Sequence, residues 1–300
     1  MYDLIIIGAG PAGITASIYA ARKKMDLLVI TKDIGGQTAV SGEIENYTGY
    51  QFITGPELTA KFEEHLRQFG ISLKENEAVT EIKKIGDTVR VTTDKGVYET
   101  KTVIIASGKR SRELNVPGEN EFKNKGLTYC ATCDAPLFSG KDVAVIGGGN
   151  SALDATLQLM KLCPRIYVIN ITSSLGGDAV MKEKVLASSK VTVFNNSQVT
   201  AVFGHKMVNA IKIKKEGKEE TLAVKGVFVE IGLIPNSEFT KDIEKNQFGE
   251  IKVNLSNETN IPGIFAAGDV TDVPEKQIII AAGEGSKACL SVFRYLAQQK

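Results

Sequence analysis

At 300 residues the chain is long enough for two domains, each with a core of ordinary size. With 36 Lys and Arg against 35 Asp and Glu, the net charge of +1 gives no global reason to expect nucleic acid or a membrane surface as partner. No apolar run approaches the roughly 18 residues that a membrane helix needs, and a strand entered by Asp3 leaves no room for a leader peptide, so a cytoplasmic location is expected.

Residues 3–8 form a continuous apolar run suited to a buried parallel strand. The run leads into a GxGxxG turn at Gly8, Gly10 and Gly13, followed by a predicted helix over 14–24 and a second strand at 27–30. That is one βαβ unit. Such a turn allows a tight bend, close approach of a pyrophosphate to backbone N–H groups, and close packing of helix on strand. The acidic ribose ligand expected after the second strand is missing, because the chain there reads Ile30-Thr31-Lys32-Asp33. Asp33 could serve only if the strand ends late.

A β-rich stretch follows over 79–105, with a turn at 94–96, and closes on residues 103–108. The same grammar then returns. Residues 142–147 repeat the apolar strand, and Gly147, Gly149 and Ala152 form a GxGxxA turn. A helix to about residue 162 and a strand at 166–169 complete the unit, and a second β-rich stretch runs from 191 to 229 with a turn at 216–217. Two half-chains on one plan predict an α/β fold of two related Rossmann-like dinucleotide-binding domains. A third signature, residues 263–269, does not fit the second half, so the C-terminal segment is expected to return to the first domain. The predicted domains are 1–113 with 244–300, and an inserted domain 114–243.

Nucleotide choice in the second domain should be set near Asn170, where a carboxylate favours NAD and a basic cluster favours NADP. Residues 169–175 carry neither acid nor base.

Cys130 and Cys133 form a CxxC directly ahead of the second glycine turn, with Asp134 next in sequence. Zinc would need four ligands, yet there is no second CxxC and the two histidines, His65 and His205, lie far away, so no metal is expected. Four cysteines with two in one CxxC do not make a structural disulfide framework. The redox reading accounts for more: cysteines two apart can close a small disulfide ring, and such a setting can lower one thiol's pKa. Asp134 is then the candidate proton donor and acceptor. Cys163, which precedes Pro164 at the end of a helix, and Cys289, in an apolar C-terminal helix, read as packing residues.

Taken together, the glycine turns, Gly35-Gly36-Gln37, Glu45-Asn46-Tyr47, the CxxC with Asp134, Gly268-Asp269 and residues 277–283 resemble the low-molecular-weight thioredoxin reductases. They also resemble the flavoprotein subunit of alkyl hydroperoxide reductase without its N-terminal extension. The resemblance implies a flavoenzyme that reduces the disulfide of thioredoxin or a similar small redox protein. It implies FAD as cofactor, with Gly8, Gly10 and Gly13 on the pyrophosphate, Gly36, Gln37 and Asn46 along the flavin, Gly268 and Asp269 at the ribityl–phosphate region, and Gln277 and Ile278 at the isoalloxazine. Cys133 would face the flavin, with Cys130 as its disulfide partner. A homodimer and a swinging inserted domain are implied as well.

Members that use NADPH carry a His-Arg-Arg cluster at Asn170, and those that use NADH usually carry Glu. This chain has neither, and so resembles the branch fed by reduced ferredoxin. Ferredoxins near roughly −400 mV against thioredoxin near roughly −270 mV leave about 130 mV, on the order of 6 kcal/mol for two electrons. NADH or NADPH as donor, feeding a thioredoxin or peroxiredoxin system, is the alternative. The basic run Lys109, Arg110 and Arg112 reads either as a patch for an acidic partner or as a solvated loop.

Overall fold

The computed structural model describes the chain except Val40, Gly42, Glu45 and Lys300, and the side chains of Glu43 and Cys133. Two compact units emerge, Met1–Arg110 with Ile234–Lys300, and Ser111–Leu233. The chain therefore crosses between them earlier than the expected positions 113 and 244. The reason for the second difference is local. Asn236 donates its N–H to the Gly108 carbonyl at 2.9 Å, and Ile82 donates to the Phe239 carbonyl at 3.3 Å, which ties residues 236–239 to the first unit.

In the first unit a parallel sheet runs in the order Ser72–Lys74, Leu27–Ile34, Tyr2–Ala9, Val97–Ile105, with Ile264–Ala266 beside the last. An antiparallel pair, Thr88–Thr93 and Val79–Ile85, continues from Val97–Ile105. The apolar run of the first strand is explained by burial on both faces. Leu4 and Ile6 pack with Val29, Ile104, Phe265 and Val292 on one side, while Ile5 and Ile7 pack with Leu28, Val103, Ile105 and Ile264 on the other. Pairing of Ile264–Ala266 with Val103–Ile105 returns the C-terminal segment to this sheet. Helix Ile278–Gln298 then packs in the same core as helix Pro11–Arg22.

The second unit repeats the plan. Its parallel sheet has the order Leu127–Thr128, Gly226–Val229, Val143–Ile146, Ile166–Ile169, Val191–Phe194. Helix Asn150–Met160 follows the third of these, and Ser197–Gly204, Val208–Lys215 and Lys218–Ala223 form an antiparallel sheet. The turn expected at 216–217 joins the last two, with Glu216 and Gly217 both at positive φ. Among the described residues no helix is long and apolar enough to cross a membrane.

Candidate functional site

In the first unit the glycine turn lies where the Tyr2–Ala9 strand hands over to the Pro11–Arg22 helix. Gly8 has φ +102°, and a Cβ there would lie 2.4 Å from the Ala106 carbonyl oxygen. A Cβ on Gly13 would lie 1.8 Å from the Gly8 oxygen, so this glycine sets how closely helix and strand meet. Gly10 differs: its backbone is extended, and the nearest atom to a Cβ would be the Gly35 oxygen at 3.9 Å. Gly10 is also the N-cap, and no side chain caps the helix start. The first N–H groups of the helix are thus left for a ligand, as a pyrophosphate requires.

Gly35 donates its N–H to the Ala9 carbonyl at 2.7 Å, bringing the Gly36–Thr38 turn beside the first. Gln37 is exposed there. Asn46 and Gln277 are brought together across 231 positions of sequence, with Asn46 Nδ2 donating to Gln277 Oε1 at 3.2 Å. Gln277 stands at the N-cap position of the Ile278–Gln298 helix with no side-chain capping bond, and Ile278 is half-buried at its first turn. Gly268, at φ +76°, lies against Ala12 and Ala281, so this turn meets the starts of both helices. Burial pushes the Asp269 carboxyl up from the usual range, with Lys276 and Lys109 pulling it back. The strand before the second turn does end late, at Ile34, with Asp33 exposed on it. Thr31 instead accepts the Ala9 N–H at 3.1 Å.

The basic run at 109–112 is not the open patch that its composition allows. Lys109 is largely buried and donates to Glu250 at 2.7 Å, and Glu250 also pairs with Lys276 at 3.3 Å. Arg110 pairs with Glu238 at 2.6 Å, and Arg112 is exposed. Lys109, Glu250 and Lys276 thereby become the charged surroundings of Asp269. Single charged residues scattered over 167 positions carry no sequence signal for such a cluster.

In the second unit Cys130 is disulfide-bonded, whereas Cys163 and Cys289 are free and buried. Burial pushes the Cys163 thiol up to about 11 and the Cys289 thiol up to about 12, which leaves both inert as nucleophiles. The backbone of Cys133 belongs to the short Ala131–Asp134 helix, and its side chain lies outside the described residues. Around Cys130 the bonds form a chain. The Cys130 N–H donates to Thr128 Oγ1 at 3.1 Å, and the Thr128 hydroxyl donates to Asp134 Oδ2. The Tyr129 hydroxyl beside it donates to Glu119 at 2.7 Å.

The registers Thr128–Phe228 and Ile146–Val229, with Ile146 opposite Ile169, bring four strand ends to one edge. Just beyond them come Cys130, Glu230, Gly147 and Asn170, in that order along the C-terminal edge of the sheet. Ligands of open parallel sheets bind at this edge. Glu230 accepts the Ala131 N–H, and burial pushes its carboxyl up to about 7, with the negative charge of Asp154 acting in the same direction. Sequence reasoning missed Glu230; its signal was a carboxylate ending an otherwise apolar run, residues 226–229.

Asn170 does not present itself to a ligand. It is 3% exposed, donates to the Asn195 side chain at 2.8 Å and the Thr172 carbonyl at 3.1 Å, and accepts the Thr172 hydroxyl at 2.9 Å. Its Oδ1 lies 2.3 Å from where a Cβ on Gly148 would be, so Gly148 is required by this packing. Gly149, by contrast, has open space and heads the Asn150–Met160 helix without a side-chain cap.

Two doubly wound units, one with an uncapped glycine cradle and one with a disulfide on its sheet edge, define a dinucleotide-binding disulfide protein. The chain belongs to the pyridine nucleotide-disulphide oxidoreductase family, whose model matches residues 2–285. FAD is the cofactor of these flavoproteins and of this chain. The F subunit of alkyl hydroperoxide reductase from Staphylococcus aureus is 42% identical over 299 residues, covering 98% of this chain. The chain spans 59% of that relative's length. The thioredoxin reductase of Lactococcus lactis superimposes with a TM-score of 0.87 at 35% identity, over 99% of this chain and 100% of that one. A ferredoxin-flavin thioredoxin reductase from Clostridium acetobutylicum gives a TM-score of 0.55 at 32% identity, over 99% and 98%.

Proposed function

We propose that the chain reduces the disulfide of thioredoxin or a similar small protein through a Cys130–Cys133 pair, acting as a cytoplasmic homodimer. The observation that carries this reading is the Cys130 disulfide on the sheet edge of the second unit, with Thr128 and Asp134 bonded around it. Gly8, Gly10, Gly13, Gly36, Gln37, Asn46, Gly268, Asp269, Gln277 and Ile278 would hold the FAD. Bound there, FAD supplies two-electron acceptor and donor chemistry. In the chain's own part, a thiolate of the opened pair attacks the partner disulfide and forms a mixed disulfide. The second sulfur of the pair then closes the ring, and the partner leaves as a dithiol. Asp134, oriented by Thr128, would hold the proton exchanged at the leaving sulfur.

For the donor we favour reduced ferredoxin. Asn170 is consumed by internal hydrogen bonds, and Ile171, which follows it, is 69% exposed and uncharged. One structural neighbour at 32% identity is a ferredoxin-flavin thioredoxin reductase, whereas the neighbour with a TM-score of 0.87 is a thioredoxin reductase. A pyridine nucleotide is the second reading, favoured by the open, uncapped turn at Gly149. An anaerobic titration of the flavin absorbance separates them. Bleaching by ferredoxin alone supports the first, and rapid bleaching by NADH or NADPH overturns it. A Cys133→Ser variant that keeps full disulfide reductase activity would sink the disulfide mechanism itself.

A further inference from the structure

Glu230 occupies a position that the mechanism above does not use. Parallel registers place it directly between Cys130 and Gly147 on the C-terminal edge of the second sheet. Its contacts agree with that placement. The carboxyl accepts the N–H of Ala131, the residue after Cys130, and the Glu230 backbone meets Gly147 so closely that a Cβ there would lie 2.1 Å from its carbonyl oxygen. The Glu230 N–H is held by the Ile146 carbonyl at 2.7 Å. The group is therefore fixed at both ends beside the redox turn.

The surroundings oppose a negative charge at this point. Strands 127–128, 143–146 and 226–229 bring apolar side chains and the Thr128 hydroxyl. Helix Asn150–Met160 brings Asp154, itself negative and held by Gln158 at 2.7 Å. The redox turn brings Cys130 and Asp134, and Asp134 already accepts from Thr128. With the disulfide closed, burial and the Asp154 charge together push the Glu230 carboxyl up to about 7, against the Ala131 N–H, which pulls it back. A thiolate formed as the disulfide opens would share the same edge with Glu230. Two like charges beside one turn raise each other's proton affinity, and one proton settles the pair.

We propose that Glu230 is a positioning residue of the redox pair that couples its reduction to a proton, taken up as the Cys130 disulfide opens and released as it closes. With a small dithiol as reductant the step balances. The dithiol loses two electrons and two protons and closes its own ring. The Cys130 pair gains both electrons and becomes one thiol and one thiolate. One proton stays on the thiol and the other converts the Glu230 carboxylate to the acid. The inference rests on the redox reading of Cys130.

The FAD-loaded 300-residue chain is equilibrated in mixtures of reduced and oxidised dithiothreitol from about pH 6 to about pH 8.5, the range between ordinary carboxylates and thiols. Alkylation of Cys130, read by mass spectrometry, reports the reduced fraction without reference to the flavin. Glu230→Gln keeps an oxygen for the Ala131 N–H and removes the proton site. Above about pH 7 the wild type is expected to take up one more proton per disulfide opened than the variant. Its reduction equilibrium should fall a further tenfold per pH unit, about 30 mV for a two-electron couple. Infrared difference spectra should also show a protonated-carboxyl band that appears on reduction and is missing from Glu230→Gln. Equal pH slopes in the two proteins, or no such band, overturn the proposal while leaving the redox reading intact. A Cys130 disulfide that dithiothreitol opens in neither protein overturns both.

Discussion

Gly10 and Gly13 stand three residues apart in one turn, yet the structure assigns them different duties that alanine substitution should separate. A Cβ on Gly13 would lie 1.8 Å from the Gly8 oxygen, and reaching even 3.0 Å needs the helix start to retreat by about 1.2 Å. That displacement costs about 1–3 kcal/mol in overpacking. It also carries the uncapped N–H groups off the phosphates, and losing one or two charge-assisted hydrogen bonds at about 1.5–3 kcal/mol each weakens FAD by at least roughly tenfold. On Gly10 the same methyl meets nothing nearer than 3.9 Å, on extended backbone that any residue adopts. The apoprotein should therefore unfold within about 0.5 kcal/mol of wild type. The methyl nevertheless fills the space through which the phosphates approach, so FAD affinity should fall. Denaturant unfolding of the apoproteins and FAD titration by flavin fluorescence give the two axes. Gly13→Ala should move on both, and Gly10→Ala on affinity alone. Unchanged FAD affinity in either variant would refute the assignment of this turn to the pyrophosphate.

Thr128→Val keeps the shape of the side chain and removes the hydroxyl that links Cys130 and Asp134. Leaving the Cys130 N–H without its acceptor is expected to cost about 1–3 kcal/mol in urea unfolding and to slow thiol exchange with a small disulfide. Raised from the usual carboxylate range to about 7 in the folded chain, Glu230 binds a proton there that the unfolded chain has released. Its contribution is full below the unfolded value, near 4.5, and is lost as pH rises to about 7. The decline is on the order of 3 kcal/mol and should be absent from Glu230→Gln in unfolding followed against pH. Gly148→Ala would press on Asn170 Oδ1 from 2.3 Å, whereas Gly149→Ala meets nothing within 4 Å. Only the first should lower the thermal midpoint of the second unit.

Local chemistry was legible in the linear chain wherever a feature depends on neighbours in sequence. A parallel strand buried on both faces reads as an unbroken apolar run, so residues 3–8 and 142–147 announced two related sheets. Their glycine turns followed from the same stretches, and the CxxC with Asp134 was readable because its members are adjacent. The Gly55–Arg67 helix, whose start Thr54 and Glu57 hold as a capping box, was not among the elements read from the sequence.

Other features exist only after the strands are ordered. Sheet order sets segments from distant parts of the chain side by side, and no sequence period records which strand becomes whose neighbour. That ordering brings Asn46 to Gln277, Lys109 to Glu250, and Glu230 to the turn of Cys130. It also buries Asn170 in a hydrogen-bonded knot with Asn195, which composition alone could not distinguish from an open ligand position. By itself the sequence determined that there are two dinucleotide folds and one CxxC, because strand burial, glycine turns and ring closure are short-range demands on the chain. Which charges surround Asp269 and Cys130 was decided by tertiary structure alone, because proximity through space, not along the chain, shifts a proton's affinity.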